Sequence, residues 1–184
     1  RGRRLTPPPI VATAEELGIA VAQPDDVNGE EARALIAAER PDALIVCAYG
    51  ALIREPLLSD HEILNLHPSL LPRWRGAAPV ERAIMAGDPE TGVSIMRLTA
   101  GLDSGPVCLQ QAEPIHPEDT FGTLAPRLEA LGAELLERAL SERPPFAEQD
   151  EAGVTYAEKI TAEDRTLDSA APPEERARVV RALF

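Results

Sequence analysis

Three side chains have the types and spacing that acyl-transfer chemistry needs: Asn65, His67 and Asp103. Asn65 and His67 lie two positions apart in an apolar run, so in a strand both project from the same face, roughly 6 to 7 Å apart. Pro68 stops that strand and leaves the pair at its carboxyl end, the edge at which open α/β sheets bind ligands. An amide, an imidazole and a carboxylate that meet there could serve one acyl-transfer centre.

Each of these residues also has a plainer interpretation. Asn65 and His67 could be polar residues that finish a strand and bond to local backbone. Asp103 stands in the turn Gly-Leu-Asp-Ser-Gly, which suits aspartate because its carboxylate bonds to its own downstream backbone. The alternative is a carboxylate held near the strand that carries His67. His61 would lie about 20 Å from His67 on a continuous strand, too far to share a metal ion, so we predict no metal site.

The elements that must position these side chains alternate between strands and helices. The unbroken apolar run ALIVCAY (43–49) is typical of a parallel strand covered on both faces. Further strands are predicted at ILNLH (63–67) and VSIMRL (93–98). Helices are predicted between them, including one over residues 79–86. This alternation predicts an α/β fold with a mostly parallel twisted sheet and helices on both faces.

Three further elements are predicted with defined positions. A short strand is expected at residues 19–22. Asn28 is predicted to cap the helix that follows it, which Pro41 ends. A long helix carries apolar residues at helical spacing, and Thr123 is its predicted N-cap because Pro126 then falls in the first turn. The apolar residues of that helix are Leu124, Leu128, Leu131, Leu135 and Ala139.

Composition excludes several classes of protein. The formal net charge of −13 argues against a protein that coats nucleic acid nonspecifically, because Lys and Arg drive phosphate binding. Lys159 is the only lysine, and no glycine-rich loop ends in Gly-Lys-Ser/Thr, which excludes a P-loop nucleotide hydrolase. No apolar run approaches the ~20 residues that cross a bilayer. We expect a cytoplasmic protein without a membrane partner, and nothing in the sequence indicates an obligate protein partner.

Positive charge is concentrated at two places that matter. Arg1, Arg3 and Arg4 stand in a proline-rich opening segment, which could be a flexible basic loop or a phosphate contact. Arg73 and Arg75 flank the only tryptophan. This second segment could be a solvated loop with one packed aromatic ring, or a loop that stacks on a ligand and holds an anion.

Four sequence blocks together resemble one family, the folate-dependent formyltransferases. The blocks are RGRRLTPPP (1–9), NLHPSLLPRWRGAAPVERAI (65–84), ETGVSIMRLTAGLDSG (90–105) and VTYAEKI (154–160). They extend over essentially the whole chain. The text RWRGAAP (73–79) favours the branch of the family that formylates methionyl initiator tRNA.

The resemblance assigns roles to the amide, the imidazole and the carboxylate. The family's centre is an Asn, a His two residues later and a downstream Asp, which fall on Asn65, His67 and Asp103. The implied reaction moves a formyl group from 10-formyltetrahydrofolate, the donor substrate, to the α-amino group of methionyl initiator tRNA. Asn65 and His67 would donate to the formyl oxygen as it becomes an oxyanion, without a metal. Asp103 would orient His67, or accept the amine proton directly or through water.

The resemblance also implies two binding segments. The segment that lines the tetrahydrofolate site in this family matches Ser69, Leu70, Leu71 and Pro72. The basic loop that the family inserts toward tRNA matches Arg1, Arg3 and Arg4. Phosphate or acceptor-stem contact is therefore the function we expect of these arginines, in place of a flexible basic tail.

The resemblance finally implies a division of the chain. Residues 1–170 would be the formyltransferase catalytic domain, and residues 171–184 the start of a linker helix toward a C-terminal domain. We expect the family's first strand–helix–strand unit and its C-terminal barrel-like domain to lie outside these residues. Three alternatives stay open: another folate-dependent formyltransferase, a formyltetrahydrofolate hydrolase on the same scaffold, and a noncatalytic folate- or RNA-binding module.

Overall fold

The computed structural model describes residues 8–183 of the chain. Arg1, Arg3 and Arg4, the predicted tRNA-binding residues, lie outside the described residues, so their role stays a prediction. The chain divides into two compact units, one within Arg1–Arg40 and one within Pro41–Phe184. All the other candidate residues belong to the second unit.

The first unit contains two helices, α1 (Pro9–Glu16) and α2 (Glu30–Glu39). The N-cap of α2 is Gly29, one residue after the predicted cap. Asn28 does not cap the helix because its backbone and side-chain nitrogens both donate to the carboxylate of Asp26, at 2.9 and 3.1 Å. The helix was therefore predicted correctly, and its start was misplaced by a local turn.

The strand predicted at residues 19–22 does not form. These residues are exposed, and none of the described strands pairs with them. A short apolar segment becomes a strand only if a neighbour accepts and donates its backbone hydrogen bonds. Hydrophobicity alone could not decide the structure of this segment.

The second unit is built on a four-stranded sheet and a two-stranded sheet. The strands are β1 (Leu44–Cys47), β2 (Ile63–His67), β3 (Arg75–Gly76), β4 (Glu90–Arg97), β5 (Val107–Pro114) and β6 (Tyr156–Ala157). The larger sheet has the order β1–β2–β4–β5, and β3 pairs with β6 in the smaller one. β2 is therefore an interior strand, with β1 on one side and β4 on the other.

The larger sheet is mixed. β1 and β2 are parallel, whereas β2–β4 and β4–β5 are antiparallel pairs. The predicted α/β class is confirmed, but the prediction of a mostly parallel sheet is corrected for these strands. For β4 and β5 the reason is their connection, because residues 98–106 are too few for the helical crossover that joins parallel neighbours.

Four α-helices accompany these sheets: α3 (Leu57–Asp60), α4 (Pro79–Ala86), α5 (Phe121–Glu142) and α6 (Pro173–Ala182). The bounds of α4 are those predicted, because Pro79 suits the first helical turn and Gly87 accepts the left-handed conformation that ends the helix. Helix α6 packs against α4, and the predicted division at residue 170 stays a prediction. Among the helices of residues 8–183, none combines the length and apolar character required to cross a membrane.

The core lies between α5, α4 and the larger sheet. Residues 91–96 of β4 are all buried, as expected of a strand with neighbours on both edges and packing on its faces. The apolar stripe predicted for α5 is confirmed, since all five of its residues are buried. The buried core cluster consists of Leu64, Val80, Ile84, Val93, Ile95, Leu124, Leu128, Leu131, Leu135, Ala139 and Ala182.

The start of α5 differs from the prediction. Its N-cap is Thr120, and Pro126 lies inside the helix. The hydroxyl of Thr123 accepts from the backbone N–H of Thr120 at 2.9 Å and donates to Asp119 at 2.9 Å. Side-chain bonds around the first turn thus fix a start three residues earlier than the position of Pro126 alone indicated.

An ion-pair cluster ties this start of α5 to the end of β5. The guanidinium of Arg127 donates two 2.8 Å bonds to Asp119, a 2.6 Å bond to Glu113 and a 2.8 Å bond to the carbonyl of Pro114. Asp119 is buried and also accepts from the backbone N–H of His116 at 2.7 Å. The Arg127 hydrogen bonds are the main reason why the pKa of Asp119 lies well below its ordinary value of 3.8.

We predict that Asp119→Asn lowers the free energy of unfolding by roughly 1–3 kcal/mol at neutral pH, because Arg127 loses its buried charged acceptor. A carboxylate with a depressed pKa stabilises the fold above its unfolded-state pKa, and this contribution disappears as the pH falls through its folded-state pKa. The difference between parent and variant should therefore be complete at neutral pH and shrink below pH 3.8. Urea unfolding followed by circular dichroism measures it.

The matched control is Glu142→Gln, which removes an exposed ion pair with Arg138 on the same helix. We expect a change of about 0.5 kcal/mol or less for this control. Equal effects of the two variants would contradict a special role for the Arg127 cluster.

Candidate active site

Strand β2 ends with two polar side chains that are nearly inaccessible. Asn65 and His67 are 9% and 4% exposed, and the preceding Ile63 and Leu64 are buried in the core. Their spacing of two places both on one face of the strand, as predicted. Since β2 is paired on both edges, its register fixes the positions of both polar residues.

Asp103 reaches these residues from the loop between β4 and β5. One of its carboxylate oxygens accepts from Asn65 Nδ2 at 3.3 Å. The other oxygen lies 3.6 Å from His67 Nδ1 and accepts from the backbone N–H of Gly76 at 2.9 Å. Only 12% of the Asp103 side chain is exposed. The structure therefore brings the three predicted residues together around one carboxylate.

The position of the Gly76 donor depends on the small sheet. Gly76 has φ +125°, and a Cβ at this position would lie 2.7 Å from the carbonyl oxygen of Ala157, its partner in β6. Only glycine permits both the conformation and the close approach of the two strands. The pairing of β3 with β6 therefore places the backbone N–H that Asp103 accepts.

Gln149 holds the loop that carries Asp103. Asp103 has φ +44°, a left-handed conformation that is uncommon outside glycine but tolerated by aspartate. Gln149 Nε2 donates to the carbonyls of Asp103 and Gly105 at 2.8 and 2.7 Å, and its Oε1 accepts from Arg75 Nε at 3.0 Å. The bond from Arg75 fixes which end of the amide faces the loop, so Gln149 can only donate to it.

His67 has its second ring nitrogen against the backbone. His67 Nε2 lies 2.8 Å from the carbonyl oxygen of Trp74. Trp74 has φ +63°, and its backbone N–H donates to the hydroxyl of Thr155 at 2.9 Å. The imidazole is thus held from two sides, by this carbonyl at Nε2 and by Asp103 at Nδ1.

The arginines around Trp74 have partners within the second unit. Arg73 donates two bonds to Asp88, at 2.8 and 2.7 Å, and stacks over the indole ring with its Cζ 4.4 Å from the centroid. The Asp88 hydrogen bond raises the pKa of Arg73. Asp88 also accepts from the indole N–H at 2.8 Å, and Arg75 is buried with Gln149 as one acceptor. These contacts differ from those of a solvated loop with one packed ring, and ligand stacking by this segment stays an untested interpretation.

The segment Ser69 to Pro72, predicted to line the folate site, is partly buried and is hydrogen-bonded to the rest of the protein. Ser69 is fully buried and its hydroxyl donates to the carbonyl of Arg73 at 2.6 Å. The hydroxyl of Ser94 donates to the Ser69 carbonyl at 2.6 Å and accepts from the Leu71 N–H at 3.1 Å. Leu70 is partly exposed. These bonds fix the turn that follows His67.

Leu71 and Pro72 line a cavity of about 350 Å³ together with residues 107–110 and 147–150. Asn65, His67 and Asp103 are not among its lining residues. The structure therefore does not join this cavity to the three polar residues, and binding of folate by residues 69–72 stays a prediction. In residues 8–183 no three His, Cys, Asp or Glu side chains are grouped so that they could hold a metal ion.

Sequence reasoning missed four contributors to the site: the Gly76 amide, the Trp74 carbonyl, Thr155 and Gln149. Two of them are backbone groups, which every residue carries and which no motif can reveal. Thr155 stands 81 positions from Trp74, and Gln149 stands 46 positions from Asp103. The block VTYAEKI around Thr155 was the one sequence pattern that could have drawn attention to this residue. It indicated membership of the family, but it did not indicate the contact with Trp74.

The arrangement can act on a carbonyl group. An amide nitrogen carries two hydrogens, so Asn65 can donate to Asp103 and to a second acceptor. His67 can donate from Nδ1 when that nitrogen is protonated. Two donors side by side match the needs of a developing oxyanion, and the adjacent carboxylate can accept a proton.

Two curated relatives with similar sequences are named methionyl-tRNA formyltransferase. The chain is 46% identical to the methionyl-tRNA formyltransferase of Halorhodospira halophila and 48% identical to that of Xanthomonas campestris pv. campestris, over all of its length. It spans 61% and 62% of the lengths of these two relatives. A solved methionyl-tRNA formyltransferase from Clostridium thermocellum superposes with a TM-score of 0.73 at 16% identity, covering 93% of this chain and 75% of that one.

The solved structure shares the fold, and a family match covers the part of the chain that carries the three polar residues. The Formyl transferase family matches residues 1–140, a range that contains Asn65, His67 and Asp103. This range also contains β1 to β5 of the second unit. The chain belongs to the formyl transferase family.

Proposed function

We propose that the protein transfers the formyl group of 10-formyltetrahydrofolate to the α-amino group of methionyl initiator tRNA, in the cytoplasm, for translation initiation. The observation that carries this proposal is the meeting of Asn65, His67 and Asp103 around one carboxylate. The names of relatives at 46% and 48% identity support the choice of methionyl-tRNA as the acceptor of a formyl group.

The reaction needs an electrophilic carbon and a place for negative charge. The neutral amine attacks the formyl carbon, and a tetrahedral intermediate forms with charge on the formyl oxygen. Asn65 Nδ2 and a protonated His67 Nδ1 would donate to that oxygen. The intermediate then collapses when the bond from carbon to N10 breaks, the attacking amine loses a proton and N10 gains one.

Asp103 is the proton acceptor closest to these donors. Its carboxylate either orients His67 or takes the amine proton, directly or through water. Bonds from the Asn65 side chain and the Gly76 backbone hold the carboxylate against the imidazole. Gln149 supports the position of this carboxylate, because its amide donates to the carbonyls of Asp103 and Gly105 in the same loop.

Binding of the two substrates is assigned to separate segments. The segment that follows His67 and Pro68 consists of Ser69, Leu70, Leu71 and Pro72. A folate held along this turn would present its formyl group near the imidazole. Arg1, Arg3 and Arg4 would contact tRNA phosphates. In a chain with net charge −13, such local clusters are the means by which nucleic acid can be bound.

The experiment that tests the function compares acceptors. Purified protein with 10-formyltetrahydrofolate is given methionyl initiator tRNA, glycinamide ribonucleotide or no acceptor, and formylated product and free formate are measured. We expect formylation of the tRNA alone. Formate release without an acceptor would favour the hydrolase, and folate binding without turnover would favour a binding module.

The first prediction from this proposal concerns single variants. Asn65→Ala, His67→Ala and Asp103→Ala should each lower kcat by about 10²- to 10³-fold, because each removes a group that acts on the transition state. Affinity for the folate donor should change little. Rapid-quench formylation assays and calorimetric folate titration measure the two quantities, and near-normal turnover in one variant would remove that residue from the chemistry.

The control for His67→Ala is His116→Ala, the same substitution at an exposed loop position. Its kcat should match the parent. A comparable loss in His116→Ala would show that the assay reports general damage to the protein.

The second prediction concerns double variants. If Asn65, His67 and Asp103 act as a unit, the His67→Ala, Asp103→Ala protein should lose much less than the product of the two single losses. The physical reason is that the carboxylate and the imidazole depend on each other in proton transfer, so removing either group also removes the contribution of the other. Fully multiplicative losses in kcat would contradict a coupled site.

The third prediction concerns tRNA. Replacing Arg1, Arg3 and Arg4 by alanine should raise KM for methionyl initiator tRNA and flatten its salt dependence, by about one unit of log–log slope for each phosphate that is no longer neutralised. Folate affinity should be unchanged. An Arg138→Ala, Arg165→Ala protein, which removes exposed positive charge elsewhere, is the control. An unchanged salt slope in the triple variant would count against the assignment.

A further inference from the structure

We propose that Thr155 is a positioning residue for His67. Through the backbone of Trp74 it keeps a proton on His67 Nε2 and leaves Nδ1 as the nitrogen that gains and loses its proton beside Asp103. The effect on rate rests on the proposed function, because it requires that His67 takes part in formyl transfer. The effect on the imidazole itself does not.

The acceptor beside Nε2 decides which ring nitrogen carries the hydrogen. A carbonyl oxygen has no hydrogen to give, so the 2.8 Å bond between His67 Nε2 and the Trp74 carbonyl requires that Nε2 is the donor. In a neutral imidazole only one nitrogen carries hydrogen. Nδ1 is therefore unprotonated in the neutral ring, and it is the nitrogen 3.6 Å from Asp103 Oδ2.

Two acceptors compete for this ring. The carboxylate of Asp103 would favour a hydrogen on Nδ1, whereas the carbonyl of Trp74 favours a hydrogen on Nε2. The bond to the carbonyl is short, and the approach of Asp103 to Nδ1 is longer than a good hydrogen bond. The tautomer therefore depends on how firmly the carbonyl is held in place.

Thr155 holds that carbonyl in place. The C=O of Trp74 and the N–H of Arg75 belong to one peptide plane and point in opposite directions. The Arg75 N–H donates to the backbone carbonyl of Thr155 at 2.9 Å, which supports that plane at its Arg75 end. The Trp74 N–H belongs to the preceding plane and donates to the Thr155 hydroxyl at 2.9 Å. Thr155 thus holds both peptide planes that meet at Trp74.

The backbone of Trp74 needs this support. A large side chain at φ +63° is disfavoured, because Cβ approaches a carbonyl oxygen, and such a conformation persists only where its surroundings impose it. Asp88 holds the indole N–H at 2.8 Å, but the backbone itself is held by Thr155. Without the hydroxyl, the plane before Trp74 is free to turn. The following carbonyl is then held only by the bond between the Arg75 N–H and the Thr155 backbone, so it can shift relative to His67.

The experiment begins with the parent protein and needs no substrate. Long-range ¹H–¹⁵N spectra of histidine-labelled protein at alkaline pH identify the tautomer of His67. We expect hydrogen on Nε2. A neutral ring with hydrogen on Nδ1 would overturn the proposal without any variant. A ring that keeps both hydrogens in the parent and in the Thr155 variants would overturn it too, since Thr155 would then not decide where the proton lies.

Thr155→Val removes the hydroxyl and keeps the branched shape, whereas Thr155→Ser keeps the hydroxyl. We expect Thr155→Val to shift His67 toward the Nδ1–H tautomer and to lower kcat by about tenfold, with KM for the folate donor within about twofold of the parent. Thr155→Ser should restore both the spectrum and kcat. Thr166→Val, the same change at an exposed position of the same segment, should alter neither.

The two readouts separate this proposal from the proposed function. A parental spectrum in Thr155→Val overturns the positioning role, as does a Thr155→Ser protein that behaves like Thr155→Val. A tautomer shift in a protein that has no formyl-transfer activity with any acceptor would support the positioning role and reject the function. If Thr155→Val does not fold, the spectra of the parent and of Thr155→Ser still show whether the neutral His67 ring carries its hydrogen on Nε2 when the hydroxyl is present.

Discussion

The burial of one carboxylate is the constraint on which the site depends. An ionised carboxylate that is 12% exposed is stable only if hydrogen-bond donors replace the water it has lost. For Asp103 these donors come from the Asn65 side chain and the Gly76 backbone, with His67 beside them. Asn65 and His67 lie on β2 and Gly76 lies on β3, while Asp103 lies in the loop after β4. Misplacement of any one segment would leave the Asp103 carboxylate without a hydrogen-bond donor. Correct packing of these strands and formation of the site are therefore coupled in folding.

The segment from Arg73 to Gly76 supplies most of the framework for this carboxylate and its imidazole. Its side chains face acidic and amide partners, since Arg73 and Trp74 bond to Asp88 and Arg75 bonds to Gln149. Its backbone faces the site, through the Trp74 carbonyl and the Gly76 N–H. The side chains thus anchor a stretch of chain whose backbone groups contact the polar residues. The two arginines and the tryptophan therefore contribute to the site through the backbone groups that they hold in place.

Sequence patterns predicted what depends on local periodicity. The spacing of Asn65 and His67, the bounds of α4 and the buried stripe of α5 all follow from repeats of two or 3.6 residues and from prolines at helix starts. The direction of β4 and β5 was not predictable in this way, because a buried strand has the same apolar run in either orientation. Nor were the partners of Asp103 and His67, because two of them are backbone groups and Thr155 and Gln149 are distant in sequence. Tertiary pairing, which brings β3 beside β6, decides these contacts.

Asp103 and Asp119 differ in the cations beside them. Asp119 is bonded to Arg127, a permanent cation, and its depressed pKa keeps it charged at any pH at which the protein is expected to work. Such a carboxylate serves to hold α5 in place. Among the described contacts of Asp103 there is no arginine or lysine, and the one neighbour that can carry a positive charge is His67. The charge beside Asp103 therefore depends on whether the imidazole carries one or two protons. The bond between His67 Nε2 and the Trp74 carbonyl leaves Nδ1, the nitrogen near Asp103, as the position of the second proton.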